Sequence, residues 1–185
     1  MKKVFKPVLY SLLVLILSTA CSKEVFTQSL RSRIEQKQAS DLERLQYYND
    51  IPIVLTYSSS TKDNSIKAGK VEFVDGIYRY FVQIPKMTPC VAKSYNEDVL
   101  KVYFEDGETT YLLFEKNNRT GESQRRDTKG RYQLAIAREK DGTFVRFEGK
   151  KWRVVEGEDA VLLIDKSLRF EDDTNKRTLK GVRVE

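Results

Sequence analysis

The chain has 185 residues, 32% of them charged, a formal net charge of +6 and no histidine. The missing imidazole excludes Ser-His-Asp and Cys-His catalysis and every histidine-ligated metal site. The basic excess does not argue for nucleic acid, because Lys2, Lys3 and Lys6 carry half of it, leaving 6 − 3 = +3 spread among acidic residues.

The first stretch, MKKVFKPVLYSLLVLILSTAC, has a positive start, an apolar run from Val8 to Leu17, and the small residues Ser18, Thr19 and Ala20 before Cys21. That is the layout of a secretory leader over residues 1–20. The run is too short for a comfortable bilayer span, which takes about 20 predominantly apolar residues. Leu17-Ser18-Thr19-Ala20-Cys21 resembles the lipobox of bacterial lipoproteins, although Ser18 holds the place where that family usually has its apolar residue. The resemblance implies that the leader is cut before Cys21 and that a palmitate-type lipid anchor forms there. It places the protein in the cell envelope. Ser22, where the family's sorting rule reads aspartate as a retention signal, implies the outer membrane. The competing reading is ordinary cleavage after Ala20, which leaves Cys21 free to form a disulfide with Cys90.

Residues 21–45 read as a helical tether or stalk. Phe26, Leu30 and Ile34 recur every four residues, and Leu42 and Leu45 follow at helical spacing. Ser40 with Glu43 three residues on is a helix restart signal. Two arrangements suit this segment: a stalk above the membrane, or a helix packed on the domain that follows.

Residues 46–185 read as an antiparallel β domain, a barrel or a sandwich. Tyr47-Tyr48 and Ile51–Tyr57 are rich in β-branched and aromatic residues, with Pro52 marking an edge or a strand start. Lys70–Val74 and Ile77–Ile84 fold about Asp75-Gly76, which sets Phe73 opposite Tyr78, Val71 opposite Tyr80 and Glu72 opposite Arg79. Pro85–Cys90 reads as a loop or crossover, and strands resume at Val99–Glu105 and Thr109–Glu115. The apolar-free stretch Lys116–Gly130 reads as a solvated loop. Arg131–Ala137 reads as one strand presenting Tyr132, Leu134 and Ile136. Turns at Asp141-Gly142 and Gly149-Lys150 then set Phe147 opposite Trp152, Val145 opposite Val154 and Glu148 opposite Lys151. Ala160–Ile164 is another apolar run. Ser167–Glu171 and Thr178–Val184 form a closing hairpin about Asp172–Lys176. The run of helical tether and β meander also resembles lipoproteins of Bacteroidota.

Chemistry is sparse. Asp172-Asp173 and the group Glu156, Glu158 and Asp159 read as turns rather than acid/base or calcium sites. Cys90 reads as a buried thiol; as a nucleophile it needs Lys86, Lys93 or a helix N-terminus to lower its pKa. Arg125, Arg126, Lys129 and Arg131 offer contacts to phosphate-bearing lipid or glycan, against a solvated loop as the plainer reading. Tyr78, Tyr80, Phe147 and Trp152 read as core before glycan groove. No cofactor or metal motif is present, and the one modified residue expected is Cys21. The expectation is a non-enzymatic envelope protein with a binding, assembly or structural role, its partner a protein or glycan and not nucleic acid. The alternatives are a carboxylate-dependent glycan enzyme and a barrel holding a small apolar ligand.

Overall fold

The computed structural model describes residues 23–37, 41–66, 69–117 and 130–165. The leader, Cys21, Ser40, Arg125, Arg126, Lys129, Asp172-Asp173 and the closing hairpin lie outside these residues.

In chain order the elements are β1 (Lys23–Val25), α1 (Gln28–Lys37), α2 (Asp41–Arg44), β2 (Tyr47–Asn49), β3 (Ile53–Ser59), β4 (Lys70–Val74) and β5 (Ile77–Ile84). There follow β6 (Pro89–Ser94), β7 (Val99–Tyr103), β8 (Tyr111–Lys116), β9 (Tyr132–Leu134), β10 (Ala137–Glu139), β11 (Gly142–Phe147), β12 (Lys150–Glu156) and β13 (Leu162–Asp165). The fold is mainly β, as expected, in two antiparallel sheets. One runs β1-β13-β2-β6-β7-β8-β9 and the other β10-β11-β12-β3-β5-β4. Neither sheet closes on itself through its own ladders, but the outer edge of β9 is tied back. Tyr132 N donates to Phe26 O at 3.2 Å and Leu134 N to Ala160 O at 2.9 Å.

The segment 23–37 belongs to this structure rather than standing off it. Thr27 caps α1 through Oγ1, which accepts from Leu30 N at 3.4 Å. The four-residue stripe then does what it predicts: Phe26 and Ile34 are fully buried and Leu30 packs against them. β1 pairs with β13, Lys23 facing Asp165. Of the two arrangements open to this segment, the packed one is observed.

The core is the shared inner face of the two sheets, filled by Trp152, Tyr47, Tyr80, Tyr132, Phe26 and Phe114. Among the described residues the chain crosses between sheets four times, and buried Asn49 ties two of the crossings together. Its Nδ2 donates to Ile51 O (2.7 Å) and Pro85 O (2.8 Å), and its Oδ1 accepts from Thr88 N (2.9 Å). A buried amide with every group satisfied holds one crossover geometry.

The Asp75-Gly76 hairpin has the expected register. Three other expectations need correction. Residues 85–88 make the crossover between the sheets, but Pro89 and Cys90 already belong to a strand, β6; Pro89 is tolerated because it is the first strand residue, where its missing N–H matters least. Arg131–Ala137 is not one strand. The chain leaves the first sheet after Leu134 and enters the second at Ala137. The β11–β12 turn is Glu148-Gly149 rather than Gly149-Lys150. Both residues have positive φ, 49° and 73°, the type I′ requirement. Val145 therefore faces Trp152, Phe147 faces Lys150 and Arg146 faces Lys151. The inward set is unchanged, but the Glu148–Lys151 pairing does not form.

Candidate functional site

The residues singled out in the sequence do not converge on one place. Cys90 is 3% exposed on the inner side of β6, and burial pushes its thiol up to about 12. Lys93 lies three residues on along the same strand, on the opposite face, its ammonium 5.5 Å from the Tyr103 ring. The thiol is a core group. Tyr80, Phe147 and Trp152 are buried, and Tyr78 stacks on Phe73 at 4.5 Å. Glu158 accepts from Thr143 Oγ1 at 3.0 Å and Asp159 from Gln133 Nε2 at 2.9 Å, so these acids tie turns to strands. Arg131 bridges to Thr27 at the foot of β9.

Three surface clefts lack paired carboxylates among the described residues. One holds Glu115, the second Glu105 and the third Asp141, each alone. Among the described residues no group of three His, Cys, Asp or Glu side chains could hold a metal ion.

The third cleft, of about 590 Å³, lies on the outer face of the six-stranded sheet. Strand register builds it. Phe144 faces Arg153, Arg153 faces Thr56, Thr56 faces Phe81 and Phe81 faces Lys70, one row across β11, β12, β3, β5 and β4. Two residues along, Arg146 faces Lys151 and Ser58 faces Arg79. The half-buried rings of Phe81 and Phe144 make the floor, and exposed Arg79, Lys151 and Arg153 make the walls.

Two features set this face apart from an ordinary solvated one. First, Arg146 and Lys151 stand directly opposite each other, an arrangement that destabilises a ladder. Second, the cations outnumber their partners. Lys151 is held by Glu139 at 2.6 Å, with its ammonium 4.2 Å from the Phe144 ring centre. Glu72, the register partner of Arg79, bonds Lys70 at 2.6 Å instead. Among the described residues, Arg79, Arg146 and Arg153 have no carboxylate within ion-pair distance. Arg153 lies over the bare backbone of Gly142, where an added Cβ would stand 3.0 Å from its Nε. Guanidinium forks beside aromatic rings suit a ligand with planar anionic groups and flat apolar faces.

A second aromatic and basic surface lies on β6–β8, where Lys101 faces Lys93 and its ammonium is 4.9 Å from the Tyr95 ring and 4.8 Å from that of Tyr111. Rings engage a lysine on both surfaces, since Phe144 and Phe81 lie 4.2 Å and 5.9 Å from the ammonium groups of Lys151 and Lys70; what the cleft adds is arginines with no carboxylate partner among the described residues.

In the sequence Arg79 and Lys151 read only as halves of opposite-charge register pairs, and no cleft residue reads as a binding residue. Lys151 and Arg153 share β12, where they read as a solvated face; their meeting with Phe144, Phe81 and Arg79 exists only across strands. No known protein family, curated protein or solved structure matches the chain. No helix among the described residues is long and apolar enough to cross a membrane.

Proposed function

We propose that this chain is a lipid-anchored cell-envelope protein that works by binding, and that its ligand is an anionic glycan seated in the Phe81–Phe144 cleft. The observation that carries the binding reading is the cross-strand row of Phe144, Arg153 and Phe81, flanked by Arg79, with neither arginine in ion-pair distance of a carboxylate among the described residues. Sugar rings offer apolar faces to the phenylalanines, and their carboxylate or phosphate substituents offer bidentate acceptors to the arginines. The lone carboxylate at each cleft supports binding over glycan hydrolysis, which takes two. An interior filled by Trp152, Tyr80 and Tyr132 supports surface binding over an apolar ligand held inside. The anchor rests on the lipobox resemblance at Cys21 and the envelope address on the leader.

Two measurements test the two halves. Intact mass of the membrane-extracted protein should show acyl increments on Cys21; an unmodified thiol there removes the anchor. Titration with polygalacturonate should give saturable, salt-sensitive binding, and neutral dextran should give none. Arg79→Ala and Arg153→Ala should each weaken polygalacturonate binding by about tenfold, the scale of one charge-assisted hydrogen-bonded pair. Equal binding of both polymers, or binding indifferent to both substitutions, rejects the cleft.

A further inference from the structure

We propose that two copies of this chain join edge to edge through β4, making one sheet continuous across a two-fold axis centred on Val71. Among the described residues the six-stranded sheet ends at β4, which pairs with β5 on one side alone. Its inner-face residues run out past the cover of the other sheet: Phe73 is 60% and Val71 48% exposed. An open edge carrying exposed apolar side chains is a template for another strand.

The turn dictates which main-chain groups are offered. Asp75 and Gly76 have φ of 53° and 76°, a two-residue type I′ turn, so Val74 and Ile77 form a hydrogen-bonded pair. Alternation then bonds Glu72 to Arg79 and Lys70 to Phe81, and turns the N–H and C=O groups of Val71 and Phe73 toward the open edge.

An antiparallel pair of identical strands has its two-fold axis at a residue facing its own copy, and each choice can be judged. Centring on Lys70 or Glu72 sets like charges opposite each other where side chains stand closest. Centring on Phe73 sets Glu72 opposite Val74, so no opposite charges meet, and brings in Asp75, whose φ of 53° already belongs to the turn. Centring on Val71 pairs Lys70 with Glu72 of the second copy, twice, in exchange for the 2.6 Å ion pair that the two residues make within one strand. It also lays Phe73 over Gly69 of the second copy, where nothing stands within 4 Å of an added Cβ except the Phe81 carbonyl at 4.0 Å. The sequence Gly69-Lys70-Val71-Glu72-Phe73 is self-complementary in this register alone. The axis is normal to the sheet, so the basic clefts of both copies open on the same side. The pairing itself does not depend on what the clefts bind.

A five-residue edge buries far less than a standard interface of about 1,600 Å², so the dimer is weak, with Kd on the order of tens of micromolar. Sedimentation equilibrium of the purified full-length protein tests this, with near-ultraviolet circular dichroism to confirm folding. Lys70→Glu sets Glu against Glu at both sites and Glu72→Lys sets Lys against Lys; each should raise Kd by about tenfold. The double variant, with the charges exchanged, should return Kd to within about twofold of the parent. A monomer up to about 500 µM overturns the proposal, as does a dimer that ignores the single changes or is not restored by the double.

Discussion

Arg31 Nη1 lies 2.9 Å from the Tyr132 hydroxyl, joining α1 to β9 across 101 residues of sequence. The other donors of this guanidinium are also engaged. Nε donates to Glu35 (2.8 Å), Nη1 also to Glu97 O, and Nη2 to Ser94 Oγ and Asn96 O, each of these three at 2.9 Å. The residue is 2% exposed. The helix is thus docked by a saturated fork, where the apolar stripe alone would leave it free to slide.

The stability of that docking should lie with the bonds to the Asn96 and Glu97 carbonyls and the packing of the guanidinium rather than with the ion pair. Arg31→Ala takes the guanidinium donors from Asn96 O and Glu97 O and opens a cavity, while the Tyr132 hydroxyl keeps its bond to Gln28 Oε1 at 2.5 Å, for a loss of about 3 kcal/mol in urea unfolding. Glu35 is 35% exposed at its side chain, so Glu35→Ala should cost under about 1 kcal/mol. Equal losses in the two variants would show that the ion pair, not the fork, holds the helix.

Gly157 is the glycine whose replacement should hurt most. It has φ of 86° just past the β12 bulge, and an added Cβ would stand 2.2 Å from Pro52 O and 2.9 Å from Ile53 Cα. Both obstacles are backbone at the start of β3, so neither can turn aside. Gly157→Ala should cost about 3 kcal/mol or more. Gly76 has a similar φ, 76°, with open space around it, and Gly76→Ala should cost about 1 kcal/mol from conformation alone. Thermal melts of the two variants separate close approach from conformational strain; similar losses would mean that the contact at Pro52 relaxes.

These two positions also show where sequence reasoning stops. The Asp75-Gly76 hairpin was legible because a two-residue turn pins every pair that follows it. The Glu148-Gly149 turn was misplaced by one residue because only its glycine advertises positive φ; Glu148 is driven into that region by strands that match on either side. Strand β6 was hidden behind Pro89. The break between β9 and β10 was hidden because hydrophobic alternation continues through Ile136 while the chain changes sheets. The stripe of Phe26, Leu30 and Ile34 was legible as a helix face, but its partner strands lie far along the chain. The cleft was not legible at all. Phe81, Thr56, Arg153 and Phe144 meet only through the order β5-β3-β12-β11, which no local pattern encodes.

Acid should expose the pair between Asp63 and Lys150. Lys150 Nζ lies 2.7 Å from Asp63 Oδ2, while Oδ1 accepts from Ser65 N (3.0 Å) and Ser65 Oγ (2.6 Å). The Lys150 ammonium, with the two Ser65 bonds, holds the carboxyl at about 2. An unfolded aspartate titrates near 3.9. A folded pKa below the unfolded one means that the unfolded chain binds the proton first as pH falls. The contribution is therefore complete above about 4 and is lost as pH drops from about 4 through about 2. Urea midpoints followed by the fluorescence of Trp152, the chain's one tryptophan, should fall through that window more steeply in the parent than in Asp63→Asn. At neutral pH the variant should be the less stable of the two, and by about pH 2 the gap should have narrowed. Parallel curves for the two proteins would show that Asp63 titrates alike folded and unfolded, and that the bridge between the 59–66 segment and β12 contributes nothing in solution.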